Sequence, residues 1–417
     1  MISRVKGTHD ILDFRLLSYV QKLIHQQACY YHFNQIETPI LEHTELFKRS
    51  LGLQTDVVSK EMFIIGDTSN PDSLCLRPEA TAAAMRVFLE HKEQLLTPWK
   101  AYSIGPMFRH ERPQKGRFRE FHQVTFEIIG SHAVSQDVQL IKMLDRLFQE
   151  ECKLDVYALL INYLGCFDDR QRFKKILYEF LNGIQSQLCA DCLIRKEHNI
   201  MRVFDCKVPT CHALYENAPR IADNLCTTCD AEWHLLQDQL QLLSVSFSYS
   251  PYLVRGLDYY DKTVFEFVSD NLGSQRAFCG GGRYNRLATQ LGAPNDVPAV
   301  GASIGIERLS LLLEPMTAQL PLEMPPALHM IIPLGKEQQA LALLLADELQ
   351  AQHLCVDIML EDDLLKTMMR KANKMGAKYV LLIGSQEREA RKVMVKDMVT
   401  GNEELVDQAA LVHYLKK

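Results

Sequence analysis

The sequence contains no long apolar run. Its most apolar stretch, residues 340–346, is far shorter than the roughly 18–20 residues that a helix needs to span a bilayer. Residues 1–7 already include charged and turn-forming positions, so they do not provide the apolar core of a secretory leader. We therefore expect no membrane partner and a cytoplasmic location.

Positive charge is not in excess, and cysteine is too scarce for a disulfide scaffold. The 46 Lys and Arg residues are outnumbered by 52 Asp and Glu residues, which gives a net charge of −6. This excludes binding of nucleic acid through overall charge but leaves a local basic face open. Twelve cysteines in 417 residues would be mostly reduced in the cytoplasm, yet half of them lie within residues 189–229.

Two common nucleotide-binding motifs are also missing. The glycine run at 279–285, Cys-Gly-Gly-Gly-Arg-Tyr-Asn, does not complete the glycine spacing of a dinucleotide fold, and no Gly-Lys-Ser/Thr ending forms a P-loop. If the protein binds a nucleotide, arginines on an antiparallel sheet must hold it.

Length and composition predict several domains, because about 100–200 residues per domain would divide 417 residues into two to four. A helical, Cys-rich pattern interrupts a mixed pattern, and four prolines fall within residues 314–326. The predicted domains are a discontinuous core at 1–164 and 247–314, a helical insertion at 165–246, a linker at 315–326 and a C-terminal domain at 327–417.

The C-terminal segment alternates strand-like and helix-like stretches, which predicts a small α/β domain with a largely parallel sheet and a last helix over 405–415. Residues 366–396 include nine Lys or Arg residues and only two acids. This basic region fits either a solvated helix face or a surface that contacts a phosphate backbone.

The most unusual stretch is a predicted hairpin at 102–130. Its loop, residues 109–119, carries five cations and one acid, and these would repel each other unless an anion is bound. In the second strand a two-residue period places Gln123, Thr125 and Glu127 on one face and apolar residues on the other. A polar row with an apolar row behind it predicts a sheet whose polar face lines a cavity.

Three further segments each contain an arginine next to turn-forming or polar residues. They are Leu-Arg-Pro-Glu-Ala-Thr at 76–81, Arg-Gly-Leu-Asp-Tyr-Tyr at 255–260, and the small, Gly-rich segment 301–309, which turns helical near Arg308. Each segment alone is weak evidence of a functional site. Together with the hairpin loop, however, they make four arginine-bearing segments, which is unusual for unrelated core elements.

Taken in order, these segments resemble class II aminoacyl-tRNA synthetases, and within them the histidine-specific family of bacterial type. Lys-Gly-Thr-His-Asp at 6–10 resembles the family's opening, and residues 33–39 with the preceding helix resemble motif 1. Phe-Arg-His-Glu-Arg at 108–112 is similar to motif 2, and 301–309 is similar to motif 3. The segment 255–260 matches the one found in histidine-specific members.

The resemblance implies a multidomain fold of α+β and α/β parts. This fold comprises an antiparallel class II sheet flanked by helices, a mostly helical insertion and a C-terminal α/β anticodon-binding domain.

The resemblance also implies two chemical steps, in which histidine's carboxylate attacks the α-phosphate of ATP and the acyl group then passes to tRNA(His). Preorganised cations suit both steps because each concentrates negative charge. The implied partners are tRNA(His), L-histidine, ATP with Mg²⁺, and a second copy of the chain bound through the motif 1 region.

The resemblance assigns roles residue by residue. The catalytic set is Arg109, Arg255 and Arg308. The histidine-binding set is Glu79, Ala80, Thr81, Arg109, Gln123, Glu127, Arg255, Tyr259 and Tyr260. The ATP-binding set is Arg109, Glu111, Arg117 and Arg308. The chain departs from the family's pattern at Ala80, where Gly is common, and at Thr125. Ala80 is tolerable unless its position needs a positive φ, and Thr125 alternates onto the pocket face.

Paired Cys-x-x-Cys turns suit tetrahedral zinc, since each turn can donate two thiolates. The chain has two such turns, and they predict a zinc site formed by Cys189, Cys192, Cys226 and Cys229. The alternative is an insertion that folds without metal around ordinary buried cysteines.

Two other functions compete with the synthetase interpretation. A histidine-binding regulatory paralogue would be expected to lack the anticodon-binding domain and to lose motif arginines, whereas residues 327–417 and all three catalytic arginines are present. A class II enzyme for another amino acid is disfavoured by the segment 255–260.

Overall fold

The structure, a computed structural model, describes residues 2–66, 70, 72–273, 275–361 and 363–416. Met1 and Lys417, the outermost residues of the predicted domains, lie outside this description. The chain forms two compact units that divide between Leu322 and Glu323, inside the proline-containing segment. Within the described ranges, no helix is both long and apolar enough to cross a membrane.

The first unit contains the following regular elements. Its strands are β1 (Asn34–Gln35), β2 (Leu41–His43), β3 (Ile64–Ile65), β4 (Leu74–Leu76), β5 (Trp99–Phe108), β6 (Glu120–Ile129), β7 (Ala158–Tyr163), β8 (Ser248–Tyr249), β9 (Asp261–Val268), β10 (Ala277–Arg283) and β11 (Ala299–Gly305). Its α-helices are α1 (Arg15–Tyr30), α2 (Thr44–Leu51), α3 (Thr81–His91), α4 (Val134–Arg146), α5 (Phe167–Gly183), α6 (Ala190–His198), α7 (Pro209–Tyr215), α8 (Thr227–Leu242), α9 (Leu287–Gln290) and α10 (Ile306–Leu313). Its π-helical turns are Val57–Glu61 and Leu147–Glu151, and its 3-10 segments are Gln185–Gln187, Ile200–Asp205, Ile221–Asn224, Asp270–Leu272 and Glu314–Gln319.

Among the described residues, the central sheet of this unit has eight strands in the order β1-β5-β6-β11-β10-β9-β7-β8. The six inner strands are antiparallel, while β1 and β8 add parallel edges. The smaller strands β2, β4 and β3 pair antiparallel beside it. This confirms the predicted class II sheet flanked by helices.

The hairpin β5–β6 shows why the polar residues share a face. Val124, Phe126 and Ile128 of β6 pack into an apolar cluster with helices α1, α4 and α10, whereas Gln123 lines a cavity on the opposite face. The alternation predicted from the sequence is therefore confirmed. The cationic loop extends the hairpin, since the Arg109 amide donates to the Arg119 carbonyl at 2.9 Å.

The predicted insertion, residues 165–246, is helical. It contains α5 to α8 with three 3-10 segments, and its described residues form no strand. These helices belong to the first compact unit rather than to a unit of their own.

The second unit is a separate α/β unit. Its strands are β12 (Leu328–Pro333), β13 (Cys355–Ile358), β14 (Tyr379–Ile383), β15 (Lys392–Asp397) and β16 (Glu403–Asp407), and its helices are α11 (Gln339–Ala351), α12 (Leu365–Lys374), α13 (Ser385–Ala390) and α14 (Leu411–Leu415), with 3-10 turns at Lys336–Gln338 and Gln408–Ala410. In the part of the chain that is described, its sheet runs β13-β12-β14-β15-β16, with the first three strands parallel and the last two antiparallel.

The predicted last helix over 405–415 is wrong in its first half. Residues 403–407 form β16 because they pair with β15, where Val406 lies opposite Val393 and the Lys396 ammonium meets Glu403 at 2.6 Å. The helix begins only at Leu411. Cross-strand pairing therefore outweighs the helical spacing of the apolar residues.

Candidate active site

A cavity of about 360 Å³ opens on the polar face of the first unit's central sheet. Its walls come from the motif 2 hairpin, the segment 255–260, strands β9 to β11 and the start of α10. Among the described residues, the arginines that line it are Arg109, Arg117, Arg202, Arg255 and Arg308.

Two of these arginines are fixed by backbone carbonyl groups. Arg109 Nε donates to the Pro78 carbonyl at 2.9 Å. Arg308 donates through Nε to Gly116 at 2.8 Å and through Nη1 to Ala277 at 2.7 Å. Because these bonds use neutral acceptors, they orient the guanidinium groups without neutralising their charge.

The positive charges are crowded. Burial, followed by repulsion from Arg109 and Arg117, lowers the pKa of Arg308 to about 10. Burial also lowers the pKa of Arg109 and that of Arg117. A polyanion in the cavity would relieve this repulsion and accept hydrogen bonds from the remaining guanidinium protons.

Two acids partly offset this charge at the rim. Glu111 forms an ion pair with Arg117 and lies 3.9 Å from Arg109, measured from Oε1 to Nη1. Glu61 contacts Arg117 at 3.5 Å. These two acids hold the Arg117 side chain in place.

Arg255 approaches from the other wall. It forms an ion pair with Glu266 of β9, and its guanidinium lies 5.6 Å from the centre of the Tyr260 ring. Burial acts to lower the pKa of Arg255, but the combined effect of the Glu266 carboxylate and of Tyr260, Tyr259 and Cys279 outweighs burial, and the pKa is raised. Gly280 of β10 makes room for this arginine, since a Cβ there would overlap the guanidinium nitrogens.

A second group of polar residues, centred on the Glu79 carboxylate, lies at the start of α3. The Glu79 carboxylate accepts hydrogen bonds from the amides of Thr81 and Ala82, both at 2.9 Å, and from the Tyr259 hydroxyl at 3.3 Å. Burial raises the pKa of Glu79. The carboxylate is therefore held rigidly by a helix N-terminus beside the two tyrosines.

Glu127 lies behind this group. Its carboxyl accepts a hydrogen bond from the Thr81 hydroxyl at 2.7 Å and another from the Tyr284 hydroxyl. Burial raises the pKa of Glu127 to about 8, even though both hydrogen bonds act in the opposite direction. Gly301, its cross-strand partner, is required because a Cβ there would collide with the carboxyl oxygen.

Comparison with known proteins places this arrangement in a family. The model of the tRNA synthetase class II core domain (G, H, P, S and T) matches residues 63–315, and that of the anticodon binding domain matches 329–417. The chain is 41% identical to the histidine–tRNA ligase of Nitratidesulfovibrio vulgaris strain DP4, over 98% of this chain and 97% of that one. It belongs to the histidyl-tRNA synthetase family.

Other members of the histidyl-tRNA synthetase family support the assignment. The histidine–tRNA ligase of Aquifex aeolicus is 39% identical over 98% of this chain and 100% of its own length. The crystal structure of apo Staphylococcus aureus histidyl-tRNA synthetase matches with a TM-score of 0.80 and 32% identity, covering all of both chains. Both predicted parts, a class II core and an anticodon-binding domain, are therefore confirmed.

The structure brings the twelve predicted site residues of this synthetase fold together. Nine line the cavity: Glu79, Arg109, Glu111, Arg117, Gln123, Arg255, Tyr259, Tyr260 and Arg308. Ala80, Thr81 and Glu127 instead lie in a buried layer behind the lining residues, and Thr81 links Glu79 to Glu127. The individual roles of these residues stay predictions.

Several residues of the site carry no clear signal in the sequence, among them Glu266, Tyr284 and Arg202. Glu266 alternates with Phe265 and Phe267 in β9, but nothing in the strand's own sequence indicates that it pairs with Arg255. Tyr284 directly follows the glycine run of β10. Arg202 comes from the helical insertion, and no local pattern indicates that it reaches the cavity.

The two departures from the family's pattern are accommodated. Ala80 precedes α3 with a φ of −113°, a conformation open to any residue, so its methyl group causes no backbone strain. Thr125 is buried between Ser103 and Ser303 on the neighbouring strands. Neither residue displaces an arginine of the cavity.

The predicted four-cysteine zinc site is wrong as a single site. The first Cys-x-x-Cys turn, Cys189 and Cys192, clusters with Cys206 and Cys211, whereas Cys226 and Cys229 cluster with Cys166 and Asp169. The two turns begin different helices, α6 and α8. Each turn therefore meets a different set of neighbouring side chains.

Proposed function

We propose that this chain attaches L-histidine to tRNA(His) at the expense of ATP, through a histidyl-adenylate, with release of AMP and pyrophosphate. The observation that supports this most is the crowding of three guanidinium groups around one cavity, where burial together with repulsion from Arg109 and Arg117 lowers the pKa of Arg308 to about 10. A site built in this way is prepared for a polyphosphate, and it adds no charge reorganisation during the reaction.

In the first step, Arg109 and Arg255 would hold the α-phosphate from opposite walls while histidine's carboxylate attacks it. Arg308, with Arg117 and Glu111 on the motif 2 loop, would bind the remainder of the nucleotide. As pyrophosphate leaves, charge builds on the phosphate oxygens between these cations. The fixed guanidinium groups stabilise that charge more than they stabilise the ground state.

Mg²⁺ would enter with ATP rather than bind to a dedicated protein site. Three of the cavity carboxylates are already paired, Glu111 with Arg117, Glu266 with Arg255, and Glu307 with the His122 ring at 2.9 Å. A magnesium ion on the outer phosphates neutralises part of their charge, as is usual for this cation.

Histidine would be recognised by the polar layer at the start of α3. Glu79 and Gln123 are placed to receive the α-amino group, and Tyr259 and Tyr260 flank the side chain. Tyr260 would meet the imidazole inside the cavity, with the Glu127 carboxyl in the buried layer behind it. An apolar amino acid of similar size would leave these buried groups unpaired, and discrimination of about 10⁴-fold or more follows for such a site.

The second unit would bind the anticodon arm. Helix α12 buries Met368 and Ala372 and exposes Lys366, Arg370 and Lys374 on its outer face. Exposed cations on one face of a helix can neutralise phosphates of a nucleic-acid backbone.

We also propose that the chain acts in the cytoplasm as a homodimer formed through the motif 1 region. The apolar side chains of Leu12, Phe14, Ile40 and Leu41 near that motif are exposed in the single chain. Covering them with a second copy would remove this apolar surface from water. Sedimentation should then give twice the chain mass of 47.8 kDa.

The proposed function is tested by aminoacylation of transcribed tRNAs with labelled histidine. We expect charging of tRNA(His) and background levels with an unrelated tRNA. Histidine binding without any charging would instead favour the regulatory paralogue.

A further inference from the structure

Four cysteines of the insertion meet outside the active-site cavity. Cys189 precedes α6, Cys192 lies in its first turn, and Cys206 and Cys211 follow the 3-10 segment Ile200–Asp205. All four sulfur atoms lie within 4.8 Å of one another. Cys192 and Cys211 are fully buried, and Cys206 is 7% exposed.

The spacing of these sulfurs matches a tetrahedral metal site. With Zn–S bonds of about 2.3 Å, the edge of the tetrahedron is about 3.8 Å. The sulfurs of Cys189 and Cys206 are 3.8 Å apart, much farther than the roughly 2.05 Å of a disulfide bond.

The surroundings provide donors for negatively charged sulfur. The Cys189 amide points at the Cys211 sulfur at 3.3 Å, and the Val208 amide points at the Cys206 sulfur at 3.4 Å. The buried Tyr215 hydroxyl lies beside the Cys192 thiol. Thiolates would accept from these groups far better than neutral thiols do.

We propose that Cys189, Cys192, Cys206 and Cys211 together bind one structural zinc ion. Two short turns each supply two thiolates, which is the usual construction of a closed structural zinc site with no open coordination position. The four ligands span only 23 positions of the chain, so the metal closes a small, local loop.

The second cluster does not have this character. Its carboxylate, Asp169, accepts hydrogen bonds from the amides of Cys166 at 3.2 Å and Cys226 at 3.0 Å, and it pairs with Arg172. Asp169 thus caps the N-termini of both α5 and α8 and already fills the role that a metal would have. We assign zinc to the first cluster alone.

The zinc ion would fix both ends of a segment that supports the active site. Between Cys192 and Cys206, the Asn199 side chain donates to Asp258 at 2.8 Å and Arg202 donates to the Gly256 carbonyl at 2.8 Å. These contacts brace the loop that carries Arg255 and Tyr259. Loss of zinc would therefore loosen the histidine subsite, an effect that rests on the proposed function.

The metal itself is tested without an activity assay. We would measure zinc in the full-length protein purified from zinc-supplied medium, in Cys206→Ser and Cys211→Ser, and in Cys229→Ser as a matched control from the second cluster. We expect one zinc per chain in the wild type and in Cys229→Ser, and a loss of at least half in the other two variants. Wild-type protein without zinc, or zinc lost only in Cys229→Ser, would overturn the assignment.

A second measurement keeps the test decisive if the variants fold poorly. Wild-type protein stripped by a chelator and reloaded with Co²⁺ should show the intense thiolate-to-cobalt absorption of a tetrahedral tetrathiolate site, and its melting temperature should rise on reloading. Absence of that absorption would contradict the proposal.

The link to the active site has its own readout. In the chelator-treated wild type, the KM for histidine should rise several-fold while the KM for ATP changes less, and zinc should restore it. The untreated protein could carry a full complement of zinc and yet show no change in the KM for histidine after the zinc is removed. That result would refute the bracing role and leave both the metal site and the proposed function intact.

Discussion

Glu127 illustrates how burial sets the chemistry of a single residue. The pKa of this carboxyl is raised from 4.5 to about 8 in the folded chain by burial. Between those two values the folded state holds a proton that the unfolded state has released, so stability falls as pH rises.

The first prediction follows from this sign. In Glu127→Gln, a neutral side chain of the same shape keeps the contacts to Thr81 and Tyr284 but no longer titrates. The melting temperature of the wild type should therefore fall more than that of the variant as pH rises from about 5 to 8. Thermal scans across that range measure the difference, with the exposed Glu90→Gln as the control. Parallel pH profiles for wild type and Glu127→Gln would contradict the raised pKa.

At the same scale, the three motif arginines, Glu79, Tyr259 and Tyr260 could be predicted because each stands in a short motif with its own chemistry. Glu266, Tyr284 and Arg202 could not, because their roles depend on contacts across strands or from the insertion. Glu266 belongs to the site because it forms an ion pair with Arg255, which comes from a different segment of the chain. Sequence spacing carries no information on that pairing.

At the scale of elements, the glycines of β10 control the position of Arg255. Gly280 lies under the guanidinium, and its missing side chain allows the arginine to cross the strand. The space left by the missing side chain at Gly280 is therefore filled by Arg255 itself.

The second prediction is that Gly280→Ala keeps the fold but displaces Arg255. A displacement of about 1 Å can reduce a catalytic rate by roughly 100-fold, and we expect a loss of that order in histidine-dependent pyrophosphate exchange. Gly183→Ala, at the end of α5, is the matched control, because it lies outside the cavity, nothing lies within 4 Å of a Cβ at that position and its φ is not positive. Equal activities of the two variants would show that Gly280 does not position the arginine.

The same scale shows where periodicity succeeds and fails. The β5–β6 hairpin was predictable because its polar and apolar rows alternate and its loop carries turn residues. The last helix was half wrong because 403–407 pairs with β15, a contact that local spacing does not encode. The grouping of the cysteines failed for the same reason, since two similar turns can each join a different cluster.

At the scale of the whole molecule, the two units carry different candidate functional surfaces. The first holds the arginine-lined cavity, and the second presents the basic face of α12. The division between Leu322 and Glu323 lies in the proline-containing segment, whose composition alone indicated a linker.

The third prediction separates these two tasks. Replacing Lys366, Arg370 and Lys374 with Ala should raise the KM for tRNA(His) and lessen its dependence on salt, because fewer counterions are released on binding. Pyrophosphate exchange, which needs no tRNA, should stay at the wild-type rate and so serves as the internal control. An unchanged tRNA KM at several salt concentrations would show that α12 does not contact the tRNA.

The central claim is that fixed arginines activate histidine in the cavity, and amino-acid-dependent ATP–pyrophosphate exchange tests it most directly. Exchange would be measured with each of the twenty amino acids for wild type, Arg255→Ala and the surface control Arg49→Ala. We predict exchange with histidine alone, a loss of about 100-fold or more in Arg255→Ala, and no change in Arg49→Ala. Exchange with another amino acid, a wild-type rate in Arg255→Ala, or histidine binding without exchange would contradict the account.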